Sequence, residues 1–145
     1  MQVQEVMHKQ VDLVDPNTMI RDAAKKMRDD KVGALPVGEN DRLVGMVTDR
    51  DIIVRAIAEE QGLGTTAVRQ CMSEGVFYCF EDASLDEAGR LMAEHQVHRL
   101  PVLNHDKRMV GILALADLAR AGDEGAEAAK KAVTGISEPT DAPRR

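Results

Sequence analysis

The chain has no tryptophan, one tyrosine and two phenylalanines in 145 residues, and these aromatics, Phe77, Tyr78 and Phe80, fall within four positions. That scarcity argues against single-stranded nucleic-acid binding on stacked aromatic platforms. Any flat ring bound here has to lie between aliphatic or methionine side chains. Cysteine is equally sparse: Cys71 and Cys79 are too few for a disulfide framework and fit reduced thiols. Positive charge is not in excess, since 19 Lys and Arg stand against 25 Asp and Glu for a net charge of −6. This argues against broad electrostatic attachment to nucleic acid or anionic lipid, and leaves a small anionic ligand at a local basic spot. No run of about 20 apolar residues occurs, and the opening MQVQEVMHKQVDLV has no apolar leader region. A cytoplasmic protein without membrane anchorage is expected.

What is present is a repeat. The hydrophobic fraction of 43% supports a globular core, and the length suits one ordinary domain or two very small ones sharing a core. Sliding the chain by 65 residues brings Met7 onto Met72, Val11 onto Val76, Ala23 onto Ala88, Met27 onto Met92 and Val32 onto Val97. It also lays LPV at 35–37 on LPV at 100–102. An offset of 66 then places Arg42 on Arg108, Val44 on Val110, Gly45 on Gly111 and Asp51 on Asp117. In each copy an apolar stripe predicts an amphipathic helix: Ile20, Ala23, Ala24 and Met27 in one, Leu85, Ala88, Gly89 and Met92 in the other. Asn17 and Thr18 offer start signals for the first helix, and Ser84 with Glu87 forms a capping-box pattern for the second. Two short strands follow each helix, joined by the turn-forming loops GEND and NHDK, and a last helix opens near Asp51 or Asp117. Pro36 and Pro101 lack an amide donor and are expected at strand edges or starts. The organisation expected is a first repeat over 1–58, a linker over 59–67, a second repeat over 68–121 and a tail over 122–145. That tail is expected to be partly disordered, with a helical turn around Ala126 to Val133.

The stretch GMVTDRDI, 45–52, carries a hydroxyl, Thr48, three residues before a carboxylate, Asp51, at a strand-to-helix junction. Two readings stand open. One is a capping box, in which hydroxyl and acid satisfy each other's backbone amides. The other is a ligand site, with unpaired helix amides facing a phosphate and the carboxylate gripping ribose hydroxyls. His95 and His98, with Cys71 or Cys79, lack zinc-ligand spacing, so no metal site is expected. Cys71 and Cys79 form a redox pair only if their side chains meet; otherwise they are inert buried thiols. The recurring methionines, Met7, Met27, Met46, Met72, Met92 and Met109, read first as core filling. There is no nucleophile elbow, P-loop or triad pattern, and no enzyme is expected.

With VGALPV and VHRLPV leading into GMVTDRD and GILALAD, the two units, each strand, helix, strand, strand, helix, resemble the cystathionine β-synthase (CBS) domain in tandem, the Bateman module. The resemblance runs from about Val6 to Ala121 and rests on several separated motifs that recur at nearly constant spacing. It implies an α+β fold in which two β-α-β-β-α repeats pack with pseudo-twofold symmetry and leave two clefts for adenosyl ligands. Pairs of this family often dimerise. The family motif is Gly, two apolar residues, Ser or Thr, two variable residues, then Asp or Asn. Gly45, Thr48 and Asp51 match it fully, which implies that Asp51 binds ribose hydroxyls and Thr48 faces phosphate. In the second copy Gly111 and Asp117 match, but Ala114 stands where the hydroxyl belongs. The same copy has His98 and Arg99 where the first has Gly33 and Ala34. In adenylate-sensing members a His-Arg pair at this place touches phosphates; the alternative is a surface Arg99 paired with an acid such as Glu94.

The expected function is therefore a stand-alone regulatory module that binds AMP, ADP, ATP, S-adenosylmethionine or NAD at Gly45, Thr48, Asp51, His98, Arg99, Gly111 and Asp117. It would need no fixed cofactor and would pass occupancy to an unknown regulated protein, as a homodimer. The alternative is a structural dimerisation module whose sites are vestigial. Single-stranded nucleic-acid binding is a third, weaker reading for the family, which the net charge opposes.

Overall fold

The computed structural model describes residues 1–9 and 13–139. The chain divides into two compact units, Met1–Val11 with Phe77–Arg145 (unit 1) and Asp12–Val76 (unit 2). Unit 2 contains α1 (Ile20–Asp30), β1 (Ala34–Glu39), β2 (Arg42–Thr48) and α2 (Asp49–Ile52), which runs on as a π-helical turn, Ile53–Ile57. Unit 1 contains β3 (Cys79–Phe80), α3 (Leu85–His95), β4 (Arg99–Leu103), β5 (Met109–Ala114), α4 (Leu115–Ala119) and α5 (Gly122–Ile136). The α+β class and the β-α-β-β-α order hold in unit 1, where parallel β3 and antiparallel β5 flank β4. In unit 2 the first strand shrinks to Val14, which bridges Val37 through hydrogen bonds from its amide to Pro36 O and from Gly38 N to its own carbonyl, both 3.0 Å.

The two sequence copies exchange their N-terminal segments. Val3 N donates to Ala83 O (2.9 Å) and Gln4 N to Glu81 O (2.8 Å), while His8 and Ile112 exchange backbone bonds of 3.0 and 2.9 Å. In unit 2 the same bonds recur from Val68 N to Thr18 O (2.8 Å), Arg69 N to Pro16 O (2.9 Å), and between Ser73 and Met46 (2.8 and 2.9 Å). The start of each sequence copy thus folds with the helix and strands of the other. Val3 and Val68 are both fully buried in their adopted cores. The repeats of the sequence and the compact units of the structure are different partitions of the chain. Val11, paired with Val76 by the sequence offset, lies outside the described residues.

Local chemistry accounts for the turns. Asn40 and Asp41 both take positive φ, 52° and 65°, the mirror-image two-residue turn that matches hairpin twist. In the other hairpin the Asn104 side chain accepts from the Asp106 and Arg108 amides, both at 3.0 Å. Ser84 caps α3 by accepting from Glu87 N at 3.1 Å. Asn17 and Thr18 do not cap α1, which starts at Ile20 after Met19. The swapped segment claims them instead: Thr18 O takes Val68 N, and Asn17 Oδ1 takes Arg69 Nε at 3.1 Å. Pro36 sits inside β1, between β2 and the Val14 bridge, where its carbonyl accepts from Val14 N. Pro101 lies within the central strand β4, but before Val102 and Leu103, the two residues that pair β3, so no β3 hydrogen bond is lost.

The tail expectation needs correction. Residues 122–136 form a full helix, α5, rather than one turn, and it buries Gly125, Ala128, Ala129, Ala132 and Ile136 on one face. These residues repeat at helical spacing but are mostly small, so the stripe reads as composition rather than as an amphipathic face. The helix docks on α3 at Gly89, where a Cβ would stand 2.5 Å from Ala128 O. Gln96 Nε2 closes its far end by donating to Gly135 O (3.2 Å) and Glu138 O (2.9 Å). The segment 140–145 lies outside the described residues. Among the described residues no helix is long and apolar enough to cross a membrane.

Candidate functional site

Each unit ends its hairpin at the motif that the sequence singles out. In unit 2, β2 stops at Thr48, whose extended backbone serves as the N-cap of α2. Thr48 Oγ1 accepts from Asp51 N at 3.0 Å, and Asp51 Oδ2 accepts from Thr48 N at 3.0 Å. The capping box is complete, and it holds the Asp51 carboxylate in one orientation although the residue is only 5% exposed. Arg55, one turn further on, brings Nε to 3.8 Å from Asp51 Oδ1 and donates through Nη1 to Cys71 O (3.2 Å) and Met72 O (3.3 Å). Burial pushes the neighbouring Cys71 thiol up, the Asp51 charge pushes the same way, and Arg55 opposes both.

In unit 1, Asp117 is 6% exposed and its Oδ2 accepts from Ala114 N at 2.8 Å. Ala114 offers no oxygen in return, so the box is half complete. Asp117 Oδ1 is met instead by His8 Nε2 at 3.0 Å and Arg120 Nη2 at 3.1 Å. Gly45 and Gly111 each lie under a swapped backbone. A Cβ at Gly45 would stand 2.8 Å from Ser73 O and 2.9 Å from Met72 Sδ; at Gly111, 2.5 Å from His8 O and 2.8 Å from Met7 Sδ. Close approach therefore gives both glycines a packing reason, whatever else they do.

His98 and Arg99 are both exposed. His98 O accepts from Leu115 N at 2.8 Å, and Arg99 stands opposite Ala114 in the β4–β5 register. Unit 2 repeats this backbone with Gly33 O accepting from Asp49 N (2.9 Å) and Ala34 opposite Thr48. The structure thus brings His98, Arg99, Gly111 and Asp117 to one strand-to-helix junction, and Gly45, Thr48 and Asp51 to the equivalent one. Among the described residues Arg99 forms no ion pair with Glu94. His95 stacks on Phe77 at 4.0 Å between ring centroids. Cys71 and Cys79 are unbridged and buried in separate units. Among the described residues no three of His, Cys, Asp and Glu gather as metal ligands.

Three side chains that meet the motif aspartates escape the sequence reading: His8, Arg55 and Arg120. The signal for Arg55 and Arg120 is their spacing of four and three residues from the motif aspartates, ion-pair distance on a helix. His8 carries a subtler one, its position directly after the repeat-equivalent Met7.

Two swapped α+β units, each presenting a buried aspartate at a strand-to-helix turn, define a tandem-repeat protein of ligand-binding architecture. The chain belongs to the CBS domain family, whose model matches residues 3–57 and 68–124. It is 42% identical over 135 residues to the CBS domain-containing protein YhcV of Bacillus subtilis, covering 93% of this chain and 94% of that one. It is 38% identical over 117 residues to hypoxic response protein 1 of Mycobacterium tuberculosis, covering 80% and 81%. The crystal structure of Hypoxic Response Protein I, which carries two coordinated zinc ions, matches with a TM-score of 0.75 at 36% identity, over 83% of this chain and 98% of that one. CBSX2 in complex with AMP matches with a TM-score of 0.70 at 31% identity, over 83% and 94%. The CBS pair of MJ0100, in complex with 5′-methylthioadenosine and S-adenosyl-L-methionine, gives 0.69 at 26%, also over 83% and 94%.

Proposed function

We propose that the protein is a regulatory module that binds an adenosyl ligand and passes its occupancy to a partner protein. The observation that carries this reading is the duplicated aspartate, Asp51 and Asp117, each almost fully buried yet fixed at a chain turn by its own backbone. Asp51 grips the ribose hydroxyls, Thr48 faces the 5′ substituent, and Gly45 lets the backbone approach. Asp117 and Gly111 do the same in unit 1, with His98 and Arg99 on the flanking strand supplying the donors that Ala114 lacks. Met72 beside Gly45 and Met7 beside Gly111 are part-exposed, suited to contact a ring where aromatics are absent. The ligands of CBSX2 and MJ0100, AMP, 5′-methylthioadenosine and S-adenosylmethionine, support the adenosyl class; ADP, ATP and NAD share its nucleoside. We assign the protein no catalytic role, no required cofactor and a cytoplasmic location.

Signalling requires that the ligand bind two conformations or assemblies with different affinity. The assembly we propose is a homodimer formed through Ile53, Val54 and Ile57, about half-exposed apolar side chains on the extension of α2. Ile53→Glu should then return the protein to monomer in sedimentation.

A thermal-shift series with AMP, ADP, ATP, S-adenosylmethionine and NAD, with and without Mg²⁺, tests the binding. A ligand at 100 times its dissociation constant stabilises by about 2.7 kcal/mol, a rise of several degrees at this size. Asp51→Asn, which keeps an acceptor for Thr48 N, should abolish the part of the rise that comes from unit 2. A flat response across all five ligands, with the dimer intact, would instead identify a structural module.

A further inference from the structure

The groups that cover Asp117 are unlike the carboxylate itself. Its side chain is 4% exposed, whereas His8 and Arg120 are 66% and 68% exposed and converge on the single atom Oδ1, at 3.0 and 3.1 Å. Oδ2 is taken by Ala114 N. His8 is set in place by its two backbone bonds to Ile112, so its backbone is fixed while its ring stands in solvent over the acid. A ligand that grips Asp117 through a sugar diol has to move one or both of these side chains off Oδ1. A neutral ligand gives the displaced groups no counter-charge, and Ala114 gives them no oxygen. A ligand with a phosphate near its diol re-pairs both, since an imidazole N–H and a guanidinium both donate to phosphate oxygens.

We propose that His8 and Arg120 form a cover of hydrogen-bond donors over Asp117 that makes the unit 1 site select phosphate-bearing adenosyl ligands over neutral ones. The inference rests on the adenosyl reading above and assigns a ligand class to one of its two sites. In unit 2 Asp51 has Arg55 Nε at 3.8 Å but only Ser73, short and uncharged, at the position equivalent to His8, so the two-sided cover belongs to unit 1.

The test uses the full chain with Asp51→Asn, which silences unit 2, and measures AMP and 5′-methylthioadenosine by calorimetry. AMP should bind about tenfold more tightly, about threefold from each of two solvent-exposed pairs. Adding His8→Ala or Arg120→Ala should shrink the preference to about threefold, mainly through tighter binding of 5′-methylthioadenosine. His8→Lys should restore it, which separates charge from any effect on folding. Equal affinity for the two ligands in the Asp51→Asn protein, or a preference untouched by both alanine variants, overturns the cover. If wild-type protein binds neither these two nor any other adenosyl ligand, the adenosyl reading itself fails and the cover falls with it; binding by wild type with an unaltered preference removes the cover alone.

Discussion

Unit 1 and unit 2 descend from one repeated pattern, and they agree inside while differing outside. Ile20 and Leu85, Ala23 and Ala88, Met27 and Met92, Leu35 and Leu100, Val37 and Val102, and Ile52 and Leu118 are repeat-equivalent, and every one is buried. Close packing leaves such positions little freedom, so the core keeps its pattern through both copies. Elsewhere on the helix, Ala24 and Arg28 of α1 become Gly89 and Ala93 of α3, small residues against which α5 packs at Ala128 and Gly135. Thr48 becomes Ala114, and position 73 of one segment answers to His8 of the other. The lesson is that one fold carries two unequal junctions, one completed by its own hydroxyl and one met by the side chains of His8 and Arg120.

The helix-docking difference predicts the largest effect. Gly89→Ala puts a methyl against the Ala128 carbonyl, a backbone atom that cannot swing away. Urea unfolding should show a loss of about 2 kcal/mol, overpacking outweighing the roughly 1 kcal/mol that alanine contributes to helix propensity. The reverse change at the equivalent site, Ala24→Gly, should cost only that propensity, about 1 kcal/mol, because Ala24 is exposed. Equal losses would mean that α5 does not depend on the space at Gly89.

Cys79 and Val14 make the next comparison, since they begin the equivalent strand positions. Burial, helped by the charge of Glu87, pushes the Cys79 thiol up to about 12. The unfolded thiol ionises from about pH 9, so the folded state alone keeps its proton in the window above that. Stability from this group is therefore full below pH 9 and falls as pH rises toward 12, by about 1 kcal/mol at pH 10. Cys79→Val, which makes unit 1 resemble unit 2, should flatten that part of the pH profile.

The capping boxes come third. Thr48→Ala removes the hydroxyl that accepts Asp51 N and should cost about 1 kcal/mol; Ala114→Thr completes the box in unit 1 and should return about half of that. A neutral result for Ala114→Thr would show that His8 and Arg120 already hold Asp117 as firmly as a cap does.

Most of this symmetry was legible in the sequence because the core repeats as apolar residues at helix and strand periods. The hairpins, the helices α1 and α3 and the T-x-x-D junction fall where those periods and turn residues put them. Two things were not. The exchange of N-terminal segments leaves no trace in a linear pattern, since Val3 and Val68 look alike whichever core receives them. The α5 helix hid because its buried face is glycine and alanine up to Ile136, and small residues permit approach rather than signal apolarity. The site was legible as a motif and a missing hydroxyl, but not as a cluster, because His8 lies 109 positions from Asp117 in the chain.

The smallest effect sits at the far end of unit 1's sheet. His105 Nε2 and Asp82 Oδ2 are 2.7 Å apart, and Phe80 stacks under the His105 ring at 4.8 Å between centroids. The Asp82 hydrogen bond, reinforced by its charge, holds the His105 imidazole above its ordinary value. A group raised on folding stabilises fully below its unfolded value, near 6.5, and that stabilisation is lost as pH rises through the higher folded value. Unit 2 has Asn17 and Asn40 at the equivalent places, neither of which titrates. Unfolding midpoints at pH 5.5 and pH 8 should therefore differ slightly more in wild type than in His105→Gln, and added salt should narrow the gap because the pair is exposed. An unchanged difference in the variant would place the acid-side slope in another group and leave the two hairpin ends alike in their response to pH.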